Sequence, residues 1–428
     1  MPPSWRAASA PASSKSSAGP NLAGGPDPRR ELLLDLLQAG IAAVDGRRCV
    51  REALTAAAAP PGAAVWVAAV GKAALAMARG AHDALGGAIE RTLIVTRDTD
   101  AAGLPAAGAA VEVLIGAHPL PDARSLAAGA RLLAWVDELP PAAYPLFLIS
   151  GGASSLVEVL APGVTVQELQ ALNRHGLSQD MAIGELNARR IGISAIKGGR
   201  LAAHLDGRRA RALFISDVPH DDPAVIGSGL MGPAPGAADH VERTIIASID
   251  QALAAVAARA AECGLTVQQA ARRFDDTAVR LAARFAHELS LAAAQVCVWG
   301  GESTVALPAE PGRGGRNQHL ALAAARLIAG HAELMLLAAG TDGSDGVTED
   351  AGGLVDADTC ARLSLAQLDA DECLRRADSA RALAASGDLI HTGPTGTNVG
   401  DLVIGLKLTA EAARALPLPR GGPRARML

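Results

Sequence analysis

Along this chain, short apolar runs stop abruptly at Gly, Ser, Thr or Asp. Residues 65–70 end at Gly71-Lys72, residues 146–149 at Ser150-Gly151-Gly152-Ala153-Ser154-Ser155, and residues 213–215 at Ser216-Asp217. Residues 296–299 end at Gly300-Gly301-Glu302-Ser303-Thr304, and residues 334–339 at Gly340-Thr341-Asp342-Gly343. Each run predicts a buried strand that opens into a loop of small residues with exposed backbone N–H groups, as open α/β sheets use to bind ligands beyond their strand ends. Exposed N–H groups suit phosphate, and the carboxylates of Asp217, Asp342 and Asp345 in these loops point to a phosphorylated ligand with a divalent cation.

Between the strands the period changes. Asp27-Pro28 reads as a helix start, and Leu32, Leu33, Leu36, Leu37 and Ile41 share one face of the helix that follows, which should pack on the first sheet. Ala- and Leu-rich stretches at 73–85 and 125–139 alternate with the strands, giving βαβ units and a parallel sheet. Two Ala/Arg-rich stretches, 241–263 and 276–293, read as long helices. The expected layout is a disordered tail over 1–26, a parallel-sheet domain over 27–240, a helical bridge associated with it over 241–295, a smaller α/β domain over 296–412 and a frayed tail over 413–428.

Composition narrows the function. At 428 residues the chain is long enough for two cores, and half of its residues are hydrophobic. The formal charge of -5 gives no electrostatic reason for a nucleic-acid or anionic-membrane partner, which leaves small-molecule chemistry. The scattered Cys49, Cys263, Cys297, Cys360 and Cys373 form no CxxC pair and read as reduced thiols of a cytoplasmic protein. No apolar run reaches the ~20 residues that span a bilayer.

Several loops carry candidate chemistry. Lys72, between a strand and a helix, can face an anion at the helix start, although Gly71-Lys72-Ala73-Ala74 is no Walker loop. Ser150, Gly151, Gly152 and Ser154 can donate to one phosphate or carboxylate. Asn187, Arg190, Lys197, Gly198 and Gly199 form a dense set of anion-binding groups; the plain alternative is a solvated charged face. Arg316, entering a helix from Gly312-Arg313-Gly314-Gly315, is better fixed than Arg313. Asp342 and Asp345 can hold Mg²⁺ or orient a hydroxyl; the alternative is a turn that uses Asp for local hydrogen bonds. Thr395, Gly396 and Asn398 lie in His391-Thr392-Gly393-Pro394-Thr395-Gly396-Thr397-Asn398, a second phosphate or nucleotide loop. The histidines show no zinc spacing.

Taken together, Val70-Gly71-Lys72-Ala73-Ala74, Ser150-Gly151-Gly152-Ala153-Ser154, Ile196-Lys197-Gly198-Gly199-Arg200-Leu201, Ile215-Ser216-Asp217-Val218-Pro219, Gly314-Gly315-Arg316-Asn317-Gln318 and the loop from His391 to Asn398 resemble the glycerate 2-kinases of the MOFRL family, in order from about Asp27 to Leu408. The resemblance implies a Rossmann-like parallel-sheet amino-terminal domain, a smaller α/β carboxy-terminal domain, and an active site in the cleft between them. It implies ATP- and Mg²⁺-dependent phosphorylation of D-glycerate at the 2-hydroxyl. The family's proposed catalytic lysine and arginine fall on Lys72 and Arg316, and Asp342 or Asp217 would bind Mg²⁺ or take the hydroxyl proton.

The chain departs from the family pattern near the acceptor. Ile191 and Gly192 stand where Lys-His is usual, His220 where Gly is usual, and His319 where Glu is usual, so a related hydroxy acid is an alternative acceptor. Relatives have been labelled hydroxypyruvate reductases, but the loop after the first strand lacks the Gly-x-Gly-x-x-Gly of a dinucleotide site. A non-catalytic phosphosugar sensor built on residues 150–155 would need neither the paired carboxylates nor the Lys/Arg pair.

Overall fold

The computed structural model describes residues 6–7, 27–57, 59–60, 62–97, 110–178, 183–233 and 240–416. The expected tails 1–26 and 413–428 lie outside the described residues except for 6–7 and 413–416. The strands are β1 Arg6–Ala7, β2 Ala64–Val70, β3 Ile89–Thr96, β4 Ala110–Ile115, β5 Ala143–Ile149, β6 Ala210–Ile215, β7 Val241–Ala247, β8 Val267–Gln269, β9 Phe274–Thr277, β10 Val296–Thr304, β11 Leu334–Gly340, β12 Gly352–Asp356, β13 Leu389–His391 and β14 Asp401–Lys407.

One compact unit comprises residues 44–248 and 396–399. Its six-stranded sheet runs β4-β3-β2-β5-β6-β7 and is parallel at every pairing. Counted from its own first strand this is the order 3-2-1-4-5-6 of the Rossmann fold, with the reversal between β2 and β5. The loops that follow β2 and β5 therefore flank the switch point. β2, β5 and β6 are buried almost throughout, as continuous apolar runs must be when helices cover both faces. Trp66, Trp135 and Phe147 meet in tilted and edge-to-face contacts through one side of this core, with centroids 5.6 and 5.9 Å apart.

The other unit comprises residues 1–43, 249–395 and 400–428. Its mixed sheet runs β1-β13-β12-β11-β14-β10-β8, with β9 also paired to β10. β14 lies antiparallel between β10 and β11, so the C-terminal ends of those two strands and the start of β14 share one edge. Phe285 and Trp299 stack at 4.6 Å in a core built on the helices Ala278–Leu291 and Arg316–Ile328. Among the described residues no helix is long and apolar enough to cross a membrane.

Three expectations need correction. The helix Pro28–Ala43 packs in the mixed-sheet unit, against the helix Ile249–Glu262 and β14, rather than on the parallel sheet. Its Arg30 bonds Asp356 at 3.0 Å and Asp388 at 2.9 Å, and its Asp35 accepts from Arg259 at 2.7 Å, so ion pairs as well as leucines fix its place. The stretch 241–263 is not one helix: 241–247 is the sixth parallel strand, and the helix begins at Ile249. Its β-branched Val241, Thr244, Ile245 and Ile246 favour a strand. Finally, 300–304 is no loop but the second half of β10, held by parallel pairing to β9. The helical bridge over 241–295 thus divides, β7 going to the parallel sheet and the rest to the mixed-sheet unit.

Candidate active site

In the parallel-sheet unit the ends of β2 and β5 are sewn together. Gly71 has φ +134°, and a Cβ there would lie 2.1 Å from Ser150 Oγ, so no other residue fits the crossing. Lys72 N donates to Gly151 O at 2.9 Å, and Ala73 N donates to Ser150 Oγ at 3.1 Å. The buried Ser150 hydroxyl oxygen thus accepts at the start of the helix Ala74–Leu85. The half-buried Lys72 passes over Gly152, its Cγ 3.1 Å from where a Cβ would be, with His118 3.2 Å from the same point. Gly151 leaves room for Asp217, which accepts from Asn398 Nδ2 at 2.9 Å. The structure therefore joins Gly71, Lys72, Gly151, Gly152, Asp217 and Asn398 around one strand-end cluster.

A second group surrounds the helix Ile183–Gly192. Ser154 and Ser228 hydroxyls lie 2.7 Å apart, and Ser228 donates to Asn187 Oδ1 at 3.2 Å. Gly198 N and Gly199 N donate to Ser228 O and Gly229 O at 2.9 and 2.7 Å, so these two N–H groups are spent on the backbone. Lys197 is also placed differently from the expectation of an anion site. It is 1% exposed and paired with the buried Glu158, which also accepts from Ser194 Oγ at 2.6 Å. Burial pulls the Lys197 ammonium pKa down, and Glu158 opposes that shift. The lysine neutralises an internal carboxylate. The neighbouring Arg190 is likewise lowered by burial and supported by Glu158.

In the mixed-sheet unit, Arg316 is the first residue of its helix and reaches two carboxylates. Its Nη1 bonds Glu302, and its Nη2 lies 3.5 Å from Asp401 Oδ2. Burial works against the guanidinium charge, but Asp401 and Glu302 outweigh it and raise the Arg316 pKa. Asp345 accepts from Gln318 N at 2.8 Å and so caps that helix from outside it. Burial, reinforced by Asp401, pushes the Asp345 carboxyl up to about 7 against the opposing Gln318 N–H. Asp342 is half-buried and accepts from Ser344 N and Oγ at 2.9 and 3.0 Å, a turn contact. Thr395 donates to Thr341 O at 2.6 Å, and Gly396 accepts from Gly46 N at 3.2 Å, so both shape the chain around the loop's two ends.

The three expected metal carboxylates do not form one cluster: Asp217 pairs with Asn398, Asp345 caps a helix and Asp342 closes a turn. Among the described residues no group of three or more His, Cys, Asp or Glu side chains is arranged to hold a metal. Sequence reasoning missed Asp401, Glu302, Glu158, His118 and Ser228. Asp401 had a readable signal, an acid directly before the apolar run Leu402-Val403-Ile404, but in the reverse sense from the strand-then-loop pattern.

A parallel sheet in Rossmann order and a mixed sheet define a two-unit α/β protein. The model described as a domain of unknown function, DUF4147, matches residues 32–261, and that described as the MOFRL family matches residues 295–401. D-glycerate 2-kinase of Thermotoga maritima is 34% identical over 420 residues, covering 89% of this chain and 99% of its own. A protein of Agrobacterium vitis bearing a hydroxypyruvate reductase name is also 34% identical, over 87% of this chain and 93% of its own. Glycerate 2-kinase of Pyrococcus horikoshii is 30% identical over 80% and 87% of the two chains. The crystal structure of the glycerate kinase from Thermotoga maritima superposes with a TM-score of 0.79 at 32% identity, covering 90% of this chain and all of that one. The chain belongs to the MOFRL glycerate kinase family, a family of phosphotransferases.

Proposed function

We propose that this chain transfers the γ-phosphoryl group of ATP to the 2-hydroxyl of D-glycerate and releases 2-phosphoglycerate and ADP. The observation that carries the reading is Arg316, a guanidinium fixed at the first turn of a helix, already balanced by two carboxylates and still 38% exposed. Phosphoryl transfer asks the protein mainly for such a fixed positive charge and for alignment of the reactants. Lys72, over the open backbone of Gly152 at the switch point, supplies a phosphate-binding charge in the parallel-sheet unit. The bond from the γ-phosphorus to the bridging oxygen of ADP breaks, the glycerate oxygen forms the new bond, and its proton passes to Asp342 or Asp217.

Asp342 would hold Mg²⁺ bound with the nucleotide, and the ion would there neutralise phosphate charge. Because the ion keeps several waters and phosphate oxygens, it needs only one or two protein carboxylates. The half-buried Asp342 fits that demand better than Asp345, whose carboxyl is buried under the helix start. Gly71, Gly151, Gly152, Ser154, Asn187, Arg190, Thr395, Gly396 and Asn398 complete the nucleotide- and acceptor-binding surface. The departures at Ile191, Gly192, His220 and His319 keep a related hydroxy acid as the second reading.

The test supplies the full-length protein with D-glycerate, ATP and Mg²⁺ and couples it directly to enolase, which consumes 2-phosphoglycerate without a mutase. Enolase signal that depends on D-glycerate and ATP, with ADP release measured without enolase that depends on Mg²⁺, supports the proposal. ADP release stimulated by another hydroxy acid but not by glycerate would keep the kinase and replace the acceptor.

A further inference from the structure

Arg316 holds two anionic partners of opposite character. Asp401 begins β14, where its backbone lies between Gly301 of β10 and Gly340 of β11, so its carboxylate rises from the middle of the sheet. Its side chain is 3% exposed and cannot swing away. Among the described residues its Oδ2 accepts no hydrogen bond; Arg316 Nη2 approaches it to 3.5 Å, and the Asn317 side chain also bonds the carboxylate. Glu302, in contrast, sits on the strand end with its side chain 56% exposed and takes the other terminal nitrogen. An exposed pair of this kind contributes little and exchanges readily, whereas a buried carboxylate left without its cation is costly.

We propose that Asp401 is the positioning residue that aims the Arg316 guanidinium, and that Glu302 is an exchangeable counter-ion whose place a phosphate oxygen takes during the reaction. The inference rests on the reading that Arg316 acts on the transferring phosphate. With the buried Asp401 charge facing Nη2 at 3.5 Å, Nη1 is presented outward along one direction. Without Asp401 the side chain follows Glu302 into solvent and loses its alignment. Burial raises the Asp401 carboxyl pKa, while Arg316 and the Asn317 side chain pull it back, so the pair is mutually supporting.

The experiment uses the full chain and the enolase-coupled assay. Asp401→Asn should lower kcat about 100-fold with little change in the KM for ATP, the signature of lost alignment rather than lost binding. On an Arg316→Ala background the same substitution should cost almost nothing more, because both changes remove one device. Glu302→Gln should lower the KM for ATP by about 2- to 5-fold, since phosphate no longer competes with a carboxylate for Nη1. Millimolar guanidinium should restore part of the Arg316→Ala rate with saturation, and should not do so once Asp401 is Asn. If Asp401→Asn does not fold, guanidinium against methylammonium on Arg316→Ala keeps the test open, because only the planar fork suits the carboxylate. Full kcat in Asp401→Asn, an additive loss on the Arg316→Ala background, or equal rescue by both cations would overturn the inference. Wild-type turnover in Arg316→Ala alone would instead sink the parent reading.

Discussion

The two sheets obey different logics of chain order. In the parallel sheet β2 and β5 each lead through a short loop into a helix, so strand, loop and helix are consecutive in sequence, and the two strand-end loops meet at the switch point. In the mixed sheet the edge that carries Arg316 and Asp401 is assembled from β10, β11 and β14, whose contributions are separated by long stretches of chain. The first sheet's chemistry is therefore local and the second's is tertiary. A basic residue emerges from each kind, and the question is whether Lys72 and Arg316 serve one step.

The largest effect should come from testing that directly. Lys72→Met and Arg316→Lys should each lower kcat by about 10³-fold or more while changing ATP binding far less, as charges that act on the transition state do. Single-turnover rates and nucleotide titrations would check it; loss in one variant only would assign the chemistry to a single sheet. Next comes the buried ion pair of the parallel-sheet unit. Lys197→Met should destabilise the fold by about 3–5 kcal/mol, because Glu158 is left charged and enclosed, and denaturant unfolding should show Lys197→Met with Glu158→Gln recovering much of that loss. Unchanged stability with lost substrate affinity would return Lys197 to the ligand.

Gly71→Ala should cost about 1–3 kcal/mol through strain at its positive φ, with the contact to Ser150 adding to it. Thermal unfolding measures the loss, and a wild-type melting curve would show that the β2–β5 crossing can relax. The smallest effect concerns pH in the mixed-sheet unit. Asp345 holds its proton to about 7 in the native state, whereas an unfolded aspartate releases it near 4. The native form is thus favoured at low pH, and stability is progressively lost as pH rises through that window. Asp345→Asn should flatten the decline relative to wild type in melts run without nucleotide, and parallel pH profiles would show that Asp345 is ionised throughout.

What could be read from the sequence follows the same division. The apolar runs of β2, β5 and β6 and the glycine and hydroxyl residues after them were legible because a buried parallel strand carries its signal within one segment. The contact of Ser150 with Ala73 N is not legible, because it joins two strand ends that lie 77 positions apart. Lys197-Gly198-Gly199 looked like an anion loop because Glu158, the partner that buries the charge, lies 39 positions away. Glu302 reads as loop in the sequence because two glycines precede it, and only the pairing with β9 reveals a strand. Asp401 is legible only once β10 and β11 are seen on either side of it.

The four residues 396–399 belong with the parallel sheet although the chain on both sides of them belongs with the mixed one, and the helix Pro28–Ala43 is displaced in the opposite sense. The polypeptide passes from one unit to the other four times, at 43/44, 248/249, 395/396 and 399/400. The family segments 32–261 and 295–401 are thus units of inheritance but not of folding. A fragment cut after residue 294 would lack Asn398 beside Asp217, and its complement would lack the helices Pro28–Ala43 and Ile249–Glu262 that pack with its sheet. Neither half can be traded as a cassette, so recombination between relatives must exchange the whole interleaved chain or match all four crossings.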